Sequence, residues 1–133
     1  MIARMWRGRT RVVDRDRYFE YLQRTGCPDL LATAGNRGLF VFRRTDAEVA
    51  EFLMVSLWES FDAIRRFAGP DVQVARYYPE DARFLLEMDP HVTHFELSEE
   101  SQPVAGGRGT ADAPSLRVTL WTRGRIGAWI FRA

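Results

Sequence analysis

The sequence predicts an α+β fold, an antiparallel sheet with helices on one face, and three observations predict it. The run Glu51 to Asp71, EFLMVSLWESFDAIRRFAGPD, changes period midway: apolar residues crowd Phe52 to Trp58, then recur at Phe61, Ile64, Phe67 and Ala68 as on one face of a helix. A strand therefore hands directly to an amphipathic helix. Gly38 to Phe42 and Glu51 to Leu57 flank the short polar stretch Thr45 to Ala50, the pattern of an antiparallel pair. Taken along the chain, the apolar runs fall in the order strand, helix, strand, strand, helix, strand.

Ile2 to Trp6 alternates as a first strand, broken at Gly8. From Asp14 to Thr25, Tyr18, Tyr21 and Leu22 fit the inner face of a first helix, with Asp14 as N-cap and Gly26 and Pro28 as stop signals. A loop or short helical turn covers Asp29 to Ala34, and strand two ends at Arg43 and Arg44. Ser60 caps the helix that runs to Ala68, with Glu59 and Asp62 near its positive end and Gly69-Pro70 as its stop. A further helical turn is expected from Asp71 to Tyr78, and Val92 to Leu97 reads as the fourth strand. This βαββαβ order is the ferredoxin-like arrangement, with both helices on one face. Phe40, Phe42, Phe52, Met54, Leu53 and Val55 make the strands largely apolar on both sides. The helix-free face should therefore bury against something, most economically a second copy in a twofold dimer, sheet against sheet.

Residues 101–114, SQPVAGGRGTADAP, read as a flexible linker that separates a 1–100 domain from a C-terminal hairpin or arm at 115–133. In the latter, Leu116 to Trp121 and Ile126 to Phe131 flank Thr122-Arg123-Gly124-Arg125. The hairpin could extend the sheet edge, cross to a partner, or fray.

A chain of 133 residues with 46% hydrophobic content suits one core. No apolar run reaches membrane-spanning length and the start lacks a secretory apolar region, so a cytoplasmic protein is expected. All 19 basic residues are arginine against 18 acids, a net charge of +1 that gives no case for nucleic acid. The balance is uneven: residues 1–100 hold 14 Arg against 17 acids, whereas 101–133 hold five Arg against Asp112 alone. Cys27 is the only cysteine, so no internal disulfide and no thiolate metal cluster can form.

Gly106-Gly107-Arg108-Gly109 lacks the Lys-Ser/Thr ending and the helix of a phosphate loop. On a strand, His91 and His94 point to opposite faces while His94 and Glu96 share one, which argues against a metal site. His94 has the strongest claim to acid/base work; its structural alternative is a hydrogen bond to Glu96, Tyr77 or Tyr78 that orients the last strand. The aromatic set includes Trp6, Trp58, Phe67, Tyr77 and Tyr78. It would line a hollow between sheet and helices for a flat hydrophobic molecule, with Arg4 or Arg37 neutralising an acidic enol or carboxylate. In regular structure only one of Tyr77 and Tyr78 would point inward; Tyr78 is preferred as donor.

Four segments, MIARMWRG, EFLMVSLWESFDAIRRFAG, VARYYPEDARFLLEMDP and HFEL, together resemble the antibiotic-biosynthesis monooxygenase family of dimeric α+β barrels over roughly residues 1–98. The resemblance implies a homodimer whose subunits each hold a pocket. It also implies a cofactor-independent monooxygenase or related tailoring enzyme for an enolisable aromatic, polyketide-like substrate. The implied roles are pocket wall for Trp6 and Trp58, anion stabilisation for Arg4, phenolic hydrogen bonding for Tyr78 and proton transfer for His94. No metal or other cofactor is implied. The alternative is a ligand-binding or structural homodimer of the same fold. The family's haem-degrading branch uses an asparagine, a tryptophan and a histidine where this chain has Trp6, Phe67 and Tyr77, so that activity is not expected.

Overall fold

In a computed structural model that describes residues 1–103, 116–122 and 125–131, four strands form one antiparallel sheet in the order β2-β3-β1-β4. The strands are β1 (Ile2–Arg11), β2 (Asn36–Asp46), β3 (Val49–Trp58) and β4 (Thr93–Glu96). The helices are α1 (Arg15–Arg24), α2 (Gly26–Ala32), α3 (Phe61–Ala68) and the single turn α4 (Asp81–Phe84). The strand pair β5 (Leu116–Thr122) and β6 (Arg125–Phe131) forms a separate two-stranded sheet. The expected linker lies almost wholly outside the described residues.

Burial on β3 alternates strictly, with Ala50, Phe52, Met54, Ser56 and Trp58 inward, because one face carries helices and the other does not. Tyr18, Tyr21 and Leu22 of α1, Leu30 of α2, and Ala63, Ile64 and Phe67 of α3 close the core over these residues. The α3 start is built as its sequence suggests: the Ser60 hydroxyl accepts from the Ala63 N–H at 3.1 Å.

Five local expectations are corrected. First, β1 does not stop near Gly8 but runs to Arg11, and Gly8 is where the Trp6 indole lies back against the strand; a Cβ there would collide with the ring. Second, Asp14 holds the N-cap position of α1 as expected, but its side chain makes no cap hydrogen bond, the carboxylate being taken by Arg11 at 3.0 Å. Third, α1 ends before Gly26 as expected, but Gly26 and Pro28 then open a second helix, α2, since a proline in the first turn needs no N–H partner. Fourth, residues 71–78 form no regular helical turn. Pro79 disfavours helix at Tyr78, and this strap pairs instead with residues 90–92 through Ala75 N–H to Pro90 O and Val92 N–H to Gln73 O, both 2.8 Å. Fifth, the one turn that is helical there, α4, comes after Pro79.

The larger correction concerns the barrel. The sheet is open: β2 and β4 are its two edges, they do not pair, and the sheet neither closes nor curls. Closure needs edge strands long enough to meet with a common tilt and stagger, and β4 has only four residues. What the chain forms is an α+β sheet of four antiparallel strands with its helices, not a barrel.

Candidate functional site

Between the inner face of the sheet and the helices lies a hollow of about 50 Å³. Its floor is the cross-strand pair Trp6 and Met54, its walls include Leu22 and Leu30, and the strap roofs it with Tyr77 and Tyr78.

Arg4 is the decisive side chain. It points inward from β1, is 4% exposed and lines the hollow. Its Nη1 donates to the Val72 carbonyl and approaches His94 Nε2 at 3.2 Å, and its Nη2 donates to the Val74 carbonyl at 2.9 Å. No carboxylate faces it among the described residues. Three of the five N–H groups of a guanidinium are thereby engaged, and two are left for a ligand. Burial lowers the guanidinium to about 10, so it stays a cation at neutral pH.

His94 sits on β4 opposite Arg4. A guanidinium has no acceptor, so Nε2 must accept and the proton is on Nδ1. Burial first, and the Arg4 charge second, hold the imidazole below its ordinary value. Its ring packs edge-on against Phe61 at 5.5 Å rather than lining the hollow. The partner that sequence reasoning did not consider for it was Arg4.

Tyr77 and Tyr78 both line the hollow, which is possible because the strap is not a regular element. The Tyr78 hydroxyl donates to Asp29 Oδ2 at 2.7 Å; burial, then that bond, push the phenol above its ordinary value. The Tyr77 hydroxyl donates to the Asp89 carbonyl at 2.5 Å and accepts from the Trp6 indole N–H at 3.4 Å; burial raises it too. Phe67 lines the hollow, with the Arg4 guanidinium 5.9 Å and that of Arg76 4.9 Å from its ring centre. Two expected wall residues stand elsewhere. Trp58 is 0% exposed in the core behind Phe67, its N–H given to Ser56 Oγ at 2.8 Å, and Arg37 is at the surface, paired with Glu59.

Sequence reasoning missed Asp81, Asp29, Arg76 and Gly26. An acid after Pro79-Glu80 carries no mark of burial, and only the fold of the strap turns Asp81 inward. Burial raises the Cys27 thiol to about 11, which makes it a poor nucleophile. Among the described residues no three His, Cys, Asp or Glu side chains gather as for a metal ion, and no helix is long and apolar enough to cross a membrane.

No family model matches the chain, and no curated protein matches it. Together with the open sheet, this overturns the resemblance to the antibiotic-biosynthesis monooxygenases.

Proposed function

We propose that the chain binds a small, mostly apolar acid, an enol, phenol or carboxylate about one ring across, with its anionic end on Arg4. One observation carries this: a buried guanidinium lines a cavity and has no carboxylate partner among the described residues. Burying a charge is costly unless it is paired, and carbonyls and a neutral imidazole cancel it only in part. An anion entering the hollow completes the pairing through charge-assisted bonds.

An enolisable aromatic substrate fits the same chemistry, since a buried cation favours the enolate over its neutral form. The bound anion then has two fates: reaction with oxygen, for which the electron-rich enolate itself supplies the electrons, or simple capture. The second is favoured by His94, whose lone pair is spent on Arg4 rather than directed into the hollow. The reading includes a second copy of the chain on the helix-free face. Phe40, Phe42, Leu53, Val55 and Met5 are continuous there, and the rim carries both signs, with Arg7 and Arg44 on Glu51, so a twofold contact meets no wall of like charge. It also places the protein in the cytoplasm, supported by its single, unpaired cysteine.

Calorimetric titration with benzoate tests the site. Binding is expected in the intact protein and lost in Arg4→Gln. Should that variant not fold, Arg4→Lys, which keeps the charge but not the fork, is expected to weaken binding about tenfold. Oxygen uptake with a phenolic 1,3-diketone, in protein free of flavin, haem and metal, separates the two fates. No binding of any small acid would remove the proposal.

A further inference from the structure

The hollow that holds a cation without a carboxylate also holds a carboxylate without a cation. Asp81 is 3% exposed and lines the hollow. Its Oδ1 accepts from the Tyr18 hydroxyl at 2.8 Å and its Oδ2 from the Tyr78 N–H at 2.6 Å. A carboxylate has about four acceptor positions, so roughly half remain open. No arginine or histidine reaches it among the described residues.

Asp81 and Arg4 stand at different places along the strands. Arg4 lies opposite Ser56, whereas Tyr18, which holds Asp81, packs edge-on against Phe52 at 5.2 Å between ring centres. Ser56 and Phe52 are four residues apart on β3, roughly 13 Å of strand. Between them lies the floor of Trp6 and Met54, which is apolar and offers a ring a flat surface. Both polar side chains line the hollow.

We infer that the ligand bridges these two groups: it is a one-ring hydroxy acid, a hydroxyaryl carboxylate or its enol equivalent, with its anionic end on Arg4 and a hydroxyl donating to Asp81. The inference rests on the acid-binding reading above and adds a second contact. A buried carboxylate shaped to receive an O–H discriminates against an analogue that lacks one, because binding the analogue leaves the carboxylate desolvated and unpaired.

Calorimetry on the intact protein with four probes tests it: 4-hydroxybenzoate, 4-methoxybenzoate, benzoate and phenol. The hydroxy acid is expected to bind at least about tenfold more tightly than benzoate and than the methoxy acid, which has the size but no proton to give. Phenol, which lacks the anion, is expected to bind more weakly than the hydroxy acid. In Asp81→Asn the preference for the hydroxyl is expected to vanish while benzoate still binds. Because Asn at position 81 also disturbs the Tyr18 and Tyr78 bonds, the probe series on the unaltered protein decides alone if that variant does not fold. Equal binding of benzoate and 4-hydroxybenzoate, or of the methoxy and hydroxy acids, would overturn the inference and leave acid binding intact. Failure of every acid would remove both.

Discussion

Arg4 and His94 form a unit in which each explains the other. The guanidinium needs an acceptor on the β4 side, and the imidazole supplies one only while Nε2 is unprotonated. Burial first, and the neighbouring guanidinium second, hold its folded value below the unfolded one. The sign follows: the contribution is fully present above the ordinary imidazole value of about 6.5 and is lost as pH falls below it toward the depressed folded value. Urea denaturation of the protein is expected to show stability dropping as pH falls below about 6.5, and His94→Gln, which keeps an acceptor, to show a flatter profile there. A variant as steep as the parent would remove His94 from the account. Gly8 is the other residue whose role is steric. Gly8→Ala pushes a methyl into the Trp6 indole, with an expected loss of about 1–3 kcal/mol in denaturant titration and a changed near-ultraviolet dichroism of the indole.

Elements whose signals are local were legible in the sequence. Ser60 with the apolar spacing of α3 specified that helix, and the apolar run from Phe52 to Trp58 specified a strand, but not that only alternate residues of β3 are buried. Ser60→Ala is expected to cost about 1 kcal/mol, read as a lower thermal midpoint. The β2–β3 turn was legible as a turn but not in its conformation: Ala47 takes φ 53°, a left-handed position that a side chain disfavours. Ala47→Gly is expected to stabilise the protein by roughly 0.5–1 kcal/mol, measured in the same way. The strap and the chain that follows it, residues 71–92, were not legible. Their conformation is set by Arg4 sixty-eight residues before Val72, by Tyr77 on Asp89 and by Asp81 on Tyr18, contacts that no window of neighbouring residues encodes. For the same reason Trp6, Arg4, Tyr77, Tyr78 and Phe67 could be named for the hollow from residue type, whereas Asp81 could not.

For the whole molecule, the sheet divides two surfaces with different tasks. One side holds the hollow; the other presents Phe42 and Phe95, 54% and 56% exposed. A second copy on that side predicts a dimer by light scattering, converted to monomer by Phe42→Glu without loss of helical signal; a monomeric parent would reject it. The barrel expectation failed at this scale because apolar strands report that a sheet is covered, not how its edges end. The claim on which the rest depends is that an acid enters the hollow at Arg4, and two-dimensional N–H NMR during a benzoate titration tests it most directly. The Arg4 Nε–H and Trp6 indole signals are expected to move together with one dissociation constant, while the Trp58 indole, held by Ser56 behind Phe67, stays in place. Unmoved Arg4 and Trp6 signals at saturating benzoate would contradict the account.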